Sequence, residues 1–567
     1  MLLAVCAAGC SSPSYLARRS EPFNPLSATL QLVSWSGPKP SERSQKLLRR
    51  YDLDEANGDE RLRQLETEVA KEPNPEKLYA FAELAYIEAC RADKRKDRGR
   101  AVDLYGAAVA HAYWYLFDVD HDLMRNPYDP QFRGACDLYN EALEGALRIA
   151  KQEGELRPGR RYRLANGRQK FDIDVVLRGP WHDDDFDKVE FVSDFEIKGL
   201  ANRHHTYGLG VPLIAVRRNH AEMDAAESYY PPGLSFAVTA FLRVSASLDE
   251  CRESDEVRRC VLELHDPLYA RDIEVAGRRV PLETDLTTPL AYFLDNPEFR
   301  EAKDISTLGL RLPELAKSRQ GMFMVEPYDP RKIPVLMVHG LWSSPITWME
   351  MFNDLRSFPE VREHYQFWFY LYPTGQPFWI SARQLRDDLQ TMRRTLDPGH
   401  LTPALDQMVL VGHSMGGLVS KLQTVESGDN YWKLLSDRPF ADLNADSETR
   451  HRLARTVFFQ PNPSIRRVIT IGTPHRGSEF ANNYTRWLGR KLIHLPEMMV
   501  QATQGLTRNN PDFFRDTDLL TISTSIDSLS PDSPVLPLCS PLRRLPGLSI
   551  TTSWDCSRMR GWLARWR

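Results

Sequence analysis

Hydrophobic and polar positions fall into three textures along the 567 residues of this chain. From 47 to 158, alanine and large apolar residues recur at spacings of three and four. "NPEKLYAFAELAYIEACRA", "GRAVDLYGAAVAHAYWYLFD" and "GACDLYNEALEGALRIAKQ" carry the pattern, which predicts a helical domain. From 159 to 298 the apolar runs are short and rich in Val, Ile and Phe, as in "KFDIDVVLRG", "VPLIAVRRN" and "LSFAVTAFLRVS". Gly, Pro and Asp clusters separate them, which predicts a β-rich domain of antiparallel strands. Residues 299–330 read as a connector with one helix. From 331 to 535 buried strands alternate with helical stretches: "PVLMVHG", "QFWFYLY", "SARQLRDDLQTMRRTL", "QMVLVGHSMGGLVSKLQT", "RRVITIG". That order predicts an α/β domain with a mostly parallel sheet, its loops gathered at the strand C-terminal ends.

The helical stretch contains an echo. Ala101-Val-Asp-Leu-Tyr returns 34 residues later as Ala135-Cys-Asp-Leu-Tyr, and Ala108 and Ala142 occupy the same place in both copies. The offset resembles the tetratricopeptide period, but two copies fall short of the roughly three that a solenoid needs. The expectation is a small helical bundle. Packing against the rest of the chain is its expected role, and binding a protein partner is the alternative.

Composition excludes several classes. Acidic residues number 77 and basic residues 73, and this near-balance offers no basic surface for nucleic acid. No apolar run reaches the roughly 18 residues that cross a bilayer. No Cys/His cluster has metal-site spacing, and neither metal nor organic cofactor is expected. The N-terminal "MLLAVCAAGCSSPS" resembles the end of a bacterial lipoprotein signal, in which Cys10 is acylated. It lacks a basic leader and its apolar part is short; a start codon placed too far downstream would explain both. The resemblance implies a signal-like segment 1–10, a membrane anchor at Cys10 and a cell-envelope location. Residues 11–46, with "SGPKPSERS", then read as a tether. Cys251 and Cys260 flank a polar turn and are placed either to close a hairpin disulfide or to remain two thiols.

The candidate chemistry lies in the third texture. "HGLW", "GHSMGG" and "GTPHRGS" occur in that order, each after an apolar strand. Over 331–535 the chain resembles the lipase and esterase branch of the α/β-hydrolases. The resemblance implies a catalytic serine, Ser414, on a strained strand-to-helix elbow formed with Gly412, His413 and Gly416. The two glycines there let neighbouring backbone approach closely. It also implies an oxyanion hole from the backbone N–H groups of Met415 and Leu341. His339 and His413 are expected as scaffold or lining, and His475 as a shaper of its loop. Trp342, Trp348 and Trp379 suit either an acyl pocket or the core. The insert 425–465 falls where lipases often carry a cap.

The order of this family continues with an acid and then a histidine base. "LLTISTSIDSLSPDSPVL" offers Asp527 and Asp532, expected in surface or capping roles, and no histidine follows His494. Acid and base are therefore unassigned. The tail 536–567 holds six arginines from Arg543 onward without a clear period, and it is expected to lack the closing strands. Shifting the reading frame across Leu548–Asp555 permits Lys-Tyr-His-Asn-Ile-Val-Gly, similar to a "YHNI(I/V)G" strand of related bacterial hydrolases. A frameshifted C-terminus is one expectation and a natural pseudoenzyme the other. The functional expectation is hydrolysis of an ester or lipid substrate through an acyl-Ser414 intermediate. The competing expectation is an impaired enzyme or an envelope interaction protein.

Overall fold

The computed structural model describes residues 14–35, 38–152, 159, 161–166, 169–218, 225–244, 258–297, 320–478, 508–515, 524–539 and 549–553. Cys10, Cys251 and residues 554–567 lie outside them, so the lipid anchor, the Cys251–Cys260 hairpin and the end of the tail are not described. The chain divides into two compact units. One comprises 1–218 and 235–295, the other 219–234 and 296–567.

The first unit holds the helical and β-rich segments together. Its helical segment is built on α1 (Glu42–Arg50), α2 (Gly58–Lys71), α3 (Pro75–Lys94), α4 (Arg98–Phe117) and α5 (Pro130–Gln152). Local sequence starts four of them. Ser41, Asn57, Asn74 and Asp97 each accept a hydrogen bond from the backbone N–H three residues on, which satisfies an otherwise orphaned donor. Pro75 sits in the first turn of α3, where its missing N–H costs nothing. The four echoed alanines, Ala101, Ala108, Ala135 and Ala142, are all fully buried between packed helices. Gly106, on α4, is different: a Cβ there would meet nothing within 4 Å. Gly106→Ala is expected to raise stability by about 0.5–1 kcal/mol through helix propensity alone. Urea denaturation reads this, and an unchanged or lower midpoint would contradict it.

The sheet of this unit has six strands: β1 (Arg161–Asn166), β2 (Gln169–Arg178), β3 (Phe186–Phe191), β4 (Val211–Arg217), β5 (Ser235–Val244) and β6 (Arg258–His265). Their order is β1-β2-β6-β5-β4-β3. All pairs are antiparallel except β2 with β6, which run parallel from Phe171↔Arg258 to Arg178↔His265. The all-antiparallel expectation is corrected there, because strand texture does not encode direction. Helix α5 is pinned to the sheet by polar contacts. The Tyr139 hydroxyl donates to Leu242 O (2.6 Å) and accepts from Leu242 N–H (2.9 Å), and Asn140 accepts from Gly210 N–H at 2.7 Å.

The second unit is built on β7 (Gly321–Met324), β8 (Ile333–Val338), β9 (Tyr365–Leu371), β10 (Met408–His413), β11 (Ile465–Ile471) and β12 (Ser549–Ser553). Their order is β7-β9-β8-β10-β11-β12. Every pair is parallel except β7–β9. Two expectations are corrected. The connector contributes the edge strand β7. The tail, expected to lack closing strands, supplies one: Ser549–Ser553 pairs along β11 from Arg467↔Ser549 to Ile471↔Ser553. An edge strand has one neighbour to match, so "SITTS" needs no apolar period to pair.

Helix α6 (Phe378–Leu396) lays Leu385, Leu389 and Met392 against the sheet core of Leu336, Trp368 and Leu410. The insert 425–465, which includes α8 (Ser447–Val457), joins the same core through Tyr431, Trp432, Val457 and Phe459. It is closed at its base, where Ser427 and Phe459 exchange backbone and hydroxyl hydrogen bonds of 2.8–3.2 Å. The insert is thus part of the packed domain and not a detached cap.

Candidate active site

Parallel strands bring their following loops to one end of the sheet. His339-Gly340 follows β8, Tyr372 to Gly375 follow β9, Ser414 follows β10, and Gly472-Thr473 follow β11. Ser414 stands between β10 and the helix α7 (Met415–Lys421) with φ 52° and ψ −123°. A non-glycine residue in this region is strained by roughly 1–3 kcal/mol and persists only where its surroundings enforce it. The surroundings are visible. Ser414 N–H donates to Ile471 O at 2.9 Å, and Ser414 O accepts from Gly417 N–H at 3.0 Å.

The glycines of "GHSMGG" are explained by what a side chain would strike. A Cβ on Gly412 would lie 2.5 Å from Gly416 O, and one on Gly416 would lie 2.3 Å from Val338 O and 2.4 Å from His339 O. On Gly417 it would meet Thr473 Oγ1 at 1.9 Å. The helix behind Ser414 therefore sits on the backbone at the end of β8, on β10 and on the Thr473 side chain, with no room for a methyl group. Gly340 is equally tight: its Cβ would fall 2.8 Å from Ser414 Cβ. The loop bearing Leu341 is thereby seated beside the serine. Leu341 itself is half-buried against the core. Trp342 has φ 53° and donates its N–H to Thr374 Oγ1 at 3.4 Å.

The histidines divide by environment. His339 is fully buried, its Nδ1 3.0 Å from Gly340 O, and its ring is stacked on Tyr372 at 4.5 Å. The Tyr372 hydroxyl donates to His339 O at 2.7 Å. Burial pushes the His339 pKa down to about 4 from an ordinary 6.5. An unfolded histidine takes up its proton near pH 6.5, whereas the folded one refuses it until about pH 4. The stability it contributes is complete above pH 6.5 and is lost as pH falls towards 4. Between pH 7 and pH 5 the loss is expected to be about 2 kcal/mol. Urea titrations at both pH values, on wild type and His339→Gln, measure this; equal pH dependence in the two proteins would contradict it.

His413 is half-buried beside the elbow, edge-on to the Trp348 ring at 6.3 Å, and its buried Nδ1 has no partner among the described residues. His475 Nε2 lies 3.2 Å from Thr470 Oγ1. Burial lowers the pKa of both. Among the described residues no hydrogen bond is made to the Ser414 hydroxyl. Of the tryptophans, Trp348 is buried, Trp379 half-buried and Trp342 about half exposed (47%).

Tyr372 and Thr374, which hold the loop after β8 beside Ser414, and Thr473, packed against Gly417, carry no signal in the sequence. Of the surface or capping role expected for Asp527, the capping half holds: Asp527 N–H donates to the helix-starting Thr524 Oγ1 (3.2 Å), and Asp527 Oδ2 accepts from that hydroxyl at 2.8 Å. The surface half is corrected, since Asp527 is buried (3% exposed). Ser525 N–H donates to Gly375 O and Ser478 N–H to Leu529 O, both at 2.9 Å, which brings 524–533 to the Ser414 end of the sheet. Asp532 is exposed. Among the described residues no cluster of His, Cys, Asp or Glu could hold a metal ion, and no helix is long and apolar enough to cross a membrane.

Residues 335–566 match the model of the alpha/beta hydrolase family, a span that runs through the tail as well as the motifs. The C-terminal domain has the alpha/beta-hydrolase fold. Among solved structures, a lipase-esterase related protein from Clostridium acetobutylicum ATCC 824 is similar at 13% identity. The likeness covers 39% of this chain and 70% of that one, with a TM-score of 0.17. No curated protein matches the chain.

Proposed function

We propose that the C-terminal domain hydrolyses carboxylic esters through an acyl intermediate on Ser414. The observation that supports this reading most is the left-handed, glycine-clamped conformation of Ser414 at the meeting point of three loops. A serine without a catalytic task gains nothing from that strain. In the proposed reaction the Ser414 oxygen attacks the ester carbonyl, its proton passes to a general base, and the alcohol leaves. Water then releases the acid. The N–H groups of Met415 and Leu341 stabilise the carbonyl oxygen as it becomes negative, each contributing about 3 kcal/mol in the transition state. Hydrolysis of p-nitrophenyl butyrate by the purified protein, with Ser414→Ala as control, tests the proposal. Turnover confined to wild type supports it, and turnover equal in both proteins contradicts it.

A second reading is favoured by one observation, the absence of a hydrogen-bonded base at the Ser414 hydroxyl among the described residues. In it the elbow is retained but the serine is not activated, leaving weak turnover from the oxyanion hole alone. A shifted frame in 536–567 would produce such a chain. Sequencing the gene from the codon of Ser525 onward separates the cases: a recovered histidine-bearing frame restores the esterase, and an unchanged frame leaves the impaired form. The lipid anchor at Cys10 and the envelope location remain part of this proposal, as does partner binding by the helical segment.

A further inference from the structure

The opposite end of the second unit's sheet holds a cavity of about 1160 Å³. Its walls come from α6, α8 and the segments 427–429 and 458–464. Met408, at the start of β10, lines it, whereas Ser414 follows the far end of that strand. Six residue steps along the strand separate them, roughly 20 Å. The cavity is therefore distinct from the ester site.

Its lining is rich in guanidinium groups. Arg386, Arg393, Arg394 and Arg455 face two carboxylates, Asp387 and Asp429. Two of these arginines are already committed. Arg455 pairs with Asp387, and Arg393 pairs with Asp397 (3.2 Å) and Asp406 (2.9 Å). Arg386 is not. It has no carboxylate oxygen within 4.0 Å among the described residues, and its buried Nε has no hydrogen-bond partner there. Its one described hydrogen bond is a long 3.5 Å contact to Arg455 O, and its guanidinium lies 4.0 Å over the Phe459 ring. Burial lowers its pKa to about 10, which leaves it charged at neutral pH. The Asp387 carboxylate supports the Arg386 charge only from beyond ion-pair distance, and holding a cation partly away from water without a directly bonded anion is costly.

The geometry points to a binding site for a phosphate-bearing anion, held by Arg386 and drawn in past the exposed Arg394. The planar fork of a guanidinium matches two phosphate oxygens at once, and the ring beneath Arg386 holds that fork in one orientation. Apolar walls from Leu389, Met392, Leu405 and Phe458 leave room for a non-polar body attached to the phosphate. This inference does not depend on the ester-hydrolase reading.

Calorimetric titration of the full chain with two probes tests it: inorganic phosphate, and dihexanoyl-phosphatidylglycerol below its micelle concentration. Saturable binding of either probe is expected, weakened at least tenfold by Arg386→Gln. Binding of phosphate identifies a free anion as the source; binding of the lipid alone identifies a headgroup with its chains on the apolar wall. Arg394→Glu, an exposed change that leaves packing intact, is expected to weaken binding as well and carries the test if Arg386→Gln does not fold. Binding of neither probe, or binding unchanged in the folded variants, overturns the proposal.

Discussion

Replacing Ser414 with alanine is expected to lower ester turnover by at least on the order of 10³-fold while leaving the thermal midpoint within a degree or two. In the proposed reaction the loss follows from the removal of the oxygen that forms the acyl bond. The unchanged stability follows from the clamp: Ser414 is held by backbone hydrogen bonds to Ile471 and Gly417, which alanine retains. Glycine at the same position separates strain from chemistry. With φ at 52°, a residue lacking Cβ relieves the backbone. Ser414→Gly should therefore be equally inactive yet about 1 kcal/mol more stable than wild type. Activity assays and chemical denaturation on the three proteins check both halves. A fully active alanine variant would remove Ser414 from the mechanism, and a destabilised glycine variant would mean the elbow is not strained.

The second large effect is expected at Gly416. A methyl group there would overlap two backbone carbonyl oxygens, Val338 O at 2.3 Å and His339 O at 2.4 Å. Neither is the end of a flexible side chain. Relief requires α7 to move off β8, which carries Ser414 with it. Gly416→Ala is expected to cost about 3 kcal/mol of stability and most of the activity. The contrast with Gly106→Ala, the same chemical change in open space, makes the comparison internal to one protein. Equal effects at the two glycines would show that the close approach at Gly416 is not the reason for its glycine.

Part of this was legible from the sequence, because some motifs state their geometry locally. Gly412 and Gly416 of "GHSMGG" mark backbone contacts that one residue type allows, and the alternation of strands and helices sets the parallel sheet and the end at which its loops meet. The echo of Ala101 and Ala108 in Ala135 and Ala142 likewise announced positions of tight helix packing. Other features are set by tertiary contact and left no local trace. The parallel pairing of β2 and β6 joins residues 87 positions apart with nothing in either strand to signal direction. Asp527 reads as a polar turn residue, yet its segment is tied to Gly375 and Ser478 and so is buried. Tyr372 and Thr374 act by holding a loop thirty positions away, which a single sequence does not reveal. Arg386 reads as one charge among several on an amphipathic helix, and its isolation over Phe459 appears only in three dimensions.

The most direct test of the account is covalent: treat the purified protein with a fluorophosphonate and locate the adduct by peptide mass spectrometry. A single stoichiometric adduct on Ser414, absent in Ser414→Ala, is expected, because in the proposed mechanism this serine attacks phosphorus as it attacks an ester carbonyl. No adduct on Ser414, under conditions that fully label a known serine esterase, would contradict it and leave the elbow without its nucleophile.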